Sequence, residues 1–259
     1  EQPDAVLHFA GRKSVAESVA SPLAYYANNL GAILSLLQCM RRAGVKRLIV
    51  SSSAAVYGTQ DVSPLTEQAA VGGCASPYGW SKFMLEQIVR DEAAARGDFS
   101  AVLLRYFNPA GAHPSGLLGE DGASGSLMTA LVQTAAGQRP ALQICGGDYP
   151  TADGTGVRDY LHVMDLARGH LAALHYSMAH SGVEAVNLGA GRGCSVLELV
   201  ETFRRVNHVT VPVQMAARRP GDVSVCYADV ARARAAGMNA HMSKPMEIEL
   251  LVKTLKEWL

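Results

Sequence analysis

Arg47-Leu48-Ile49-Val50-Ser51-Ser52-Ser53 is the stretch on which the fold turns, an apolar run of strand length closed by three hydroxyl side chains. Two runs of the same kind, Ala5 to Phe9 and Ala101 to Arg105, lie on either side of it. The intervals between them carry helical patterns, Pro22 to Arg42 and Pro77 to Ala95. Ser21-Pro22 and Ser76-Pro77 mark the helix starts, because a serine oxygen accepts from free first-turn amides and proline fits the first turn. Strand, helix, strand, helix, strand in this order predicts an α/β protein with a parallel sheet and helices on both faces.

Beyond Tyr106 the texture changes. A glycine- and proline-rich stretch, Asn108 to Gly125, precedes shorter elements: a helix near Leu127 to Ala136, a strand near Leu142 to Cys145 and a loop from Gly146 to Gly156. Helices near Val163 to Met178 and Ser195 to Val206 and a strand at Ala185 to Leu188 follow. The expected division is 1–108 for the first domain and 109–234 for a smaller α/β domain, some of whose elements return to the first. An atypical tail occupies 235–259.

Lysine and arginine total 23, as do aspartate and glutamate, and no long run of one sign occurs. The field that gathers phosphate backbones is missing, so nucleic acid is not an expected partner. The five cysteines are scattered, without zinc spacing, which suits a reducing cytoplasm and no structural metal. No apolar run reaches the roughly 18 residues of a membrane span, and the opening residues do not form a signal peptide; a soluble, cytoplasmic protein is expected.

Chemistry gathers at Tyr78 and Lys82, four residues apart near a helix start and so on one face. An ammonium beside a phenol favours the phenolate, which predicts a tyrosine pKa below its usual value of about 10 and a general base. The spacing alone is a weak signal. Its context is Ser51-Ser52-Ser53 at the carboxyl end of a strand, where an open sheet takes its ligand; a serine-rich loop satisfying its own backbone is the plainer reading. His8-Phe9-Ala10-Gly11 closes the first strand, and Asn28-Asn29 places two poor helix formers inside a helix, pointing to a polar site or to simple exposure.

Four blocks carry a resemblance: Ser51 to Gly58 (Ser-Ser-Ser-Ala-Ala-Val-Tyr-Gly), Ser76 to Lys82 (Ser-Pro-Tyr-Gly-Trp-Ser-Lys), Leu103 to Gly116 and Asp153 to Leu166. Together, and in this order, they resemble UDP-glucose 4-epimerases of the extended short-chain dehydrogenase/reductase superfamily, from residue 1 to about 234. The resemblance implies a Rossmann-like doubly wound sheet with a smaller UDP-sugar-binding domain, tightly held NAD and a role in galactose metabolism. It implies Tyr78 as base, Lys82 as modulator of its pKa and ligand of the nicotinamide ribose, and Ser53 on the sugar's 4-hydroxyl. Phe9, Ala10, Gly11, Lys13, Asn28 and Phe107 would contact NAD, together with Ser53, Tyr78 and Lys82. Asn108, Gln143, Cys145, Arg158, Arg219 and Asp222 would hold the UDP-sugar, and Cys226 would line the sugar pocket. Guanidinium forks at Arg158 and Arg219 suit a pyrophosphate on independent grounds. A homodimer is implied for the complete enzyme.

The sequence also departs from that pattern. The glycine-rich strand-turn-helix that cradles the NAD pyrophosphate has no counterpart, which implies an incomplete sheet, an N-terminal truncation and weak NAD binding by this polypeptide. Gly122 to Ser126 replaces a slightly longer segment that contacts UDP. From about Ala235 the tail resembles the end of a response-regulator receiver domain, with Lys244-Pro245; a divergent amphipathic helix through Ile248, Leu251, Val252, Leu255 and Leu259 is the other reading. Two alternatives stand beside the epimerase: an inactive sugar-nucleotide-binding fragment, and a sugar-nucleotide 4,6-dehydratase. The second needs an Asp-Glu pair where this chain has Ala54-Ala55.

Overall fold

A computed structural model describes residues 3–60, 62–121, 125–219 and 221–236. From residue 237 on, the receiver-like or amphipathic tail lies outside the described residues, as does most of the Gly122 to Ser126 segment.

The first half runs β1 (Val6–His8), α1 (Val15–Ala20), α2 (Pro22–Ala43), β2 (Arg47–Ser51), a 3-10 turn (Ala54–Tyr57), α3 (Pro77–Arg96), β3 (Ser100–Tyr106) and β4 (Asn108–Ala110). The second half runs α4 (Leu127–Ala135), β5 (Leu142–Cys145), β6 (Val157–Arg158), β7 (Tyr160–His162), α5 (Val163–Ala179), β8 (Gly182–Leu188), β9 (Cys194–Ser195), α6 (Val196–Asn207), β10 (Val213–Ala216), β11 (Val225–Cys226) and α7 (Ala231–Ala235).

The main sheet has the order β1-β2-β3-β8 and is parallel throughout. Period-two alternation divides its side chains between two cores. Leu48, Val50, Ala101 and Leu103 meet Ile33, Leu37 and Met40 of α2 and Leu85 and Val89 of α3. On the opposite face Ile49, Val102, Leu104, Val186 and Leu188 pack with Ala173 of α5 and Ala233 of α7. Both faces are thus covered, as a parallel sheet requires.

Helix ends follow local chemistry. Ser76 adopts an extended conformation, its hydroxyl oxygen accepts from the Gly79 amide at 3.2 Å, and Pro77 occupies the first turn. α2 ends at Gly44, whose left-handed φ of 70° lets its amide reach the Arg41 and Met40 carbonyls. Ser21 departs from the expected cap, since its side chain makes no capping bond. It sits between α1 and α2, where its amide instead donates to the Glu17 carbonyl and closes α1.

A third core forms around α4, α6 and β5, with Met128, Leu131, Leu142, Ile144, Leu199, Val200 and Phe203 buried together. Short pairings surround it: β10 with β5, β11-β6-β9, and β4 with β7. β8 returns to the main sheet beside β3.

Candidate active site

Ser53 leaves the carboxyl end of β2 and caps the 3-10 turn, its oxygen accepting from the Ala55 amide at 3.2 Å. Its hydroxyl stands near enough to the Tyr78 phenol to favour the phenolate, so the turn after β2 and the first turn of α3 bring together the two groups that the sequence placed on separate elements. Lys82, one turn further along α3, donates its ammonium to the Ser51 carbonyl at 2.6 Å. Tyr78 and Lys82 are both buried, at 9% and 6% exposure.

Burial sets their proton affinities. The Tyr78 phenol is pushed up to about 12, because desolvation outweighs the Ser53 hydrogen bond that favours phenolate. This corrects the value below 10 predicted from the tyrosine-lysine spacing. The Lys82 ammonium is pushed down to about 8 by burial, with the Glu86 carboxylate opposing the shift.

Around this pair, Phe9, Ala10, Gly11 and Lys13 are exposed in the segment between β1 and α1. A Cβ on Gly11 would come within 3.2 Å of Asn29 Oδ1 and 3.9 Å of Lys82 Nζ, so the backbone passes close to α2 and α3. The Phe9 ring lies against His170, centroids 4.7 Å apart, and Lys13 pairs with Glu120 at 3.4 Å. The asparagine pair divides. Asn28 is exposed on α2, whereas buried Asn29 accepts from the Arg12 amide (2.8 Å) and donates to the Arg12 carbonyl (3.1 Å) and the Ser81 hydroxyl (3.0 Å). Phe107 is buried where its amide meets the Leu188 carbonyl, and exposed Asn108 follows on β4.

The remaining candidates stand on the short pairings. Arg158 on β6 forms an ion pair with Asp222 at 3.3 Å and lies in register with Cys226 on β11. The Cys226 thiol is pushed up to about 11, mainly by burial, with Arg158, Asp159 and Asp222 near enough to act on it. Arg219 is exposed, and its carbonyl accepts from the Asp222 amide. Gly221, with φ 79°, presses this turn onto the entrance of α3, since a Cβ there would come within 2.7 Å of Ala75 Cβ. Gln143 on β5 is exposed and donates to Gln214, while half-buried Cys145 ends the same strand. Among the described residues, no group of three or more His, Cys, Asp or Glu is placed to hold a metal.

Sequence reasoning missed what lies beneath the serines. Ser52 donates to Glu86 at 2.6 Å, and Arg105 grips the same carboxylate through Nε at 2.9 Å and Nη2 at 2.6 Å. Arg105 continues to the Tyr57 hydroxyl at 3.2 Å, which donates to Asn187 at 2.6 Å. The available signal was the position of Glu86, four residues after Lys82.

The profile of the NAD dependent epimerase/dehydratase family matches residues 1–189. The chain is 52% identical over 233 residues to the UDP-glucose 4-epimerase of Bacillus subtilis (strain 168), covering 89% of this chain and 68% of that protein. It is 51% identical to the human UDP-glucose 4-epimerase over 227 residues, which are 87% of this chain and 65% of the human one. Among solved structures, UDP-glucose 4-epimerase from Bifidobacterium longum in complex with NAD+ and UDP superposes with a TM-score of 0.93 at 45% identity, covering 100% of this chain and 76% of that one. With a parallel sheet, a serine-tyrosine pair at its carboxyl edge and this similarity along most of its length, the chain belongs to the NAD dependent epimerase/dehydratase family.

Proposed function

We infer that the chain is a UDP-glucose 4-epimerase, inverting C4 of the sugar by transient oxidation. The observation that carries the reading is that Ser53, in the turn at the carboxyl end of β2, stands beside Tyr78 in the first turn of α3, with Lys82 one helical turn on and bonded to the Ser51 carbonyl. Ala54 and Ala55 stand in the 3-10 turn where the dehydratase reading needs an acid and a base, which favours epimerisation.

The residues present fit the nicotinamide-ribose portion of NAD. The Gly11 backbone passes close to Lys82, and the side chains of Phe9, Ala10, Lys13 and Asn28 are exposed around it. NAD, when bound, supplies the acceptor and donor of the C4 hydride. The chain's own part is to manage the proton: Tyr78 takes it from the 4-hydroxyl and returns it, Ser53 orients that hydroxyl, and Lys82 binds the ribose.

Arg158, Arg219 and Asp222, with Asn108, Gln143 and Cys145, are assigned to the UDP moiety, and Cys226 to the sugar pocket. The proposed division is 1–108 for the cofactor side and 109–234 mainly for the substrate side, with β8 returning to the first sheet. Among the described residues no helix is long and apolar enough to cross a membrane. A cytoplasmic homodimer completes the proposal.

The test is Tyr78→Phe in the protein that contains this chain. It removes the proton acceptor and none of the assigned nucleotide contacts, so turnover falls by about a hundredfold or more while UDP affinity stays within about twofold. A loss below about tenfold would remove Tyr78 from the role of base.

A further inference from the structure

Tyr78, Lys82 and Glu86 recur at four-residue intervals on one face of α3, and all three are buried. The first two have assigned work; Glu86 touches neither the assigned sugar nor cofactor contacts. Its carboxylate receives Ser52 Oγ at 2.6 Å and the fork of Arg105 at 2.9 and 2.6 Å, with Arg90 at 3.7 Å. Ser52 lies between Ser51, whose carbonyl holds Lys82, and Ser53, whose hydroxyl meets Tyr78. The Ser52–Glu86 bond therefore bolts the serine turn to the catalytic helix at the one serine that does not itself contact the catalytic pair.

We propose that Glu86 is a positioning residue for this catalytic pair: it fixes the serine turn against α3 through Ser52, and it supplies the counter-charge that holds the buried Lys82 side chain as an ammonium. The proposal rests on reading Tyr78 and Lys82 as the catalytic pair. Two charged or titratable groups act on Lys82, Glu86 one turn further along its own helix and His8 from β1; Tyr78 stands one turn before it on α3, and Arg105 from β3 reaches this region through its fork on Glu86. Glu86 is thus the carboxylate acting on Lys82. His8 and Arg105 carry, or can carry, charge of the same sign as Lys82. Loss of the Glu86 charge thus leaves the lysine among cations, and the side chain becomes a neutral amine at a lower pH.

The experiment is a lysine side-chain NMR titration of the 259-residue chain, with Lys82 assigned by Lys82→Met. The wild-type midpoint is expected near 8. Glu86→Gln moves it down by about one unit or more, and Glu86→Asp restores most of the difference. An unmoved midpoint in a folded Glu86→Gln variant overturns the charge role, because a purely structural residue would lower the melting temperature and leave this midpoint alone. Ser52→Ala tests the bolt and stands even if Glu86→Gln does not fold. It is expected to shift the Tyr78 ring resonances in the same direction as Ser53→Ala, although Ser52 does not contact Tyr78. Tyr78 resonances that stay at their wild-type positions overturn the positioning role. Both readouts are independent of sugar turnover, so their failure is distinct from failure of the epimerase reading.

Discussion

Lys82 is held at a cost that its own side chain reveals. A lysine with a folded pKa of about 8 against an ordinary value of 10.5 binds its proton less readily in the native than in the unfolded chain. Between these two values the unfolded state carries more protons, so stability rises with pH across that window and is lowest below it. Lys82→Met removes the buried charge and keeps the stem's volume. It is expected to raise stability at pH 7 by about 1–3 kcal/mol, a rise in Tm of several degrees, while abolishing activity. Melting curves at pH 7 and pH 10 check the sign: the gain shrinks at the higher pH, and a variant less stable than wild type at pH 7 refutes the account. Cys226 poses a steric question. On the proposed placing of Cys226 in the sugar pocket, a half-buried thiol takes up far less space there than an aromatic ring would. The protein containing this chain is expected to interconvert UDP-N-acetylglucosamine and UDP-N-acetylgalactosamine, and Cys226→Tyr to remove that activity selectively. Measured kcat/KM values for both sugar pairs decide it; a parallel fall in both denies Cys226 the role of gate.

At the scale of the element, the first turn of α3 carries both stability and chemistry. Ser76→Ala deletes the hydroxyl that accepts from Gly79, at about 1 kcal/mol, and loosens the turn on which Tyr78 stands. Gly44→Ala at the far end of α2 is the control. It strains a residue with φ 70° at a similar cost of about 1 kcal/mol, but at the opposite end of the strands from the site. Turnover is expected to fall several-fold more in Ser76→Ala than in Gly44→Ala at matched loss of Tm, and equal turnover in the two contradicts the role of the cap. The elements themselves were unevenly legible. α2, α3, β2 and β5 stand within about a residue of where periodicity puts them, because each repeats its pattern long enough, or alternates cleanly enough, to be read. β6, β9 and β11 have two residues each, too few for any period, and exist because distant segments pair. β10 is largely exposed and lacks an alternating face. The same distinction holds in the site: Tyr78 and Lys82 share a helix face and could be paired by eye. Ser52, Glu86, Arg105, Tyr57 and Asn187 meet only across separations of 19 to 130 residues.

Over the whole molecule, the proposed proton-transfer groups stand on α3 and the turn after β2, beside the main sheet, and the candidate nucleotide groups on the short pairings around α4 and α6. One contact joins them physically: the turn carrying Arg219 and Asp222 rests through Gly221 on Ala75, immediately before Ser76 and Tyr78. A nucleotide that engages Arg158, Arg219 and Asp222 therefore restrains the start of the catalytic helix without touching it. UDP alone is expected to slow backbone hydrogen exchange at 142–145, 157–158 and 221–226, and also at Gly79 and Trp80, whose amides are held by Ser76. Gly221→Ala supplies the decisive variant. Its Cβ meets Ala75 at 2.7 Å on a backbone with φ 79°, so the turn must lift away from α3. In that variant, protection by UDP should persist at 142–145 and disappear at Gly79 and Trp80, and turnover should fall more than UDP affinity. If wild-type Gly79 and Trp80 exchange at the same rate with and without saturating UDP, the coupling between nucleotide capture and the catalytic turn does not run through Gly221.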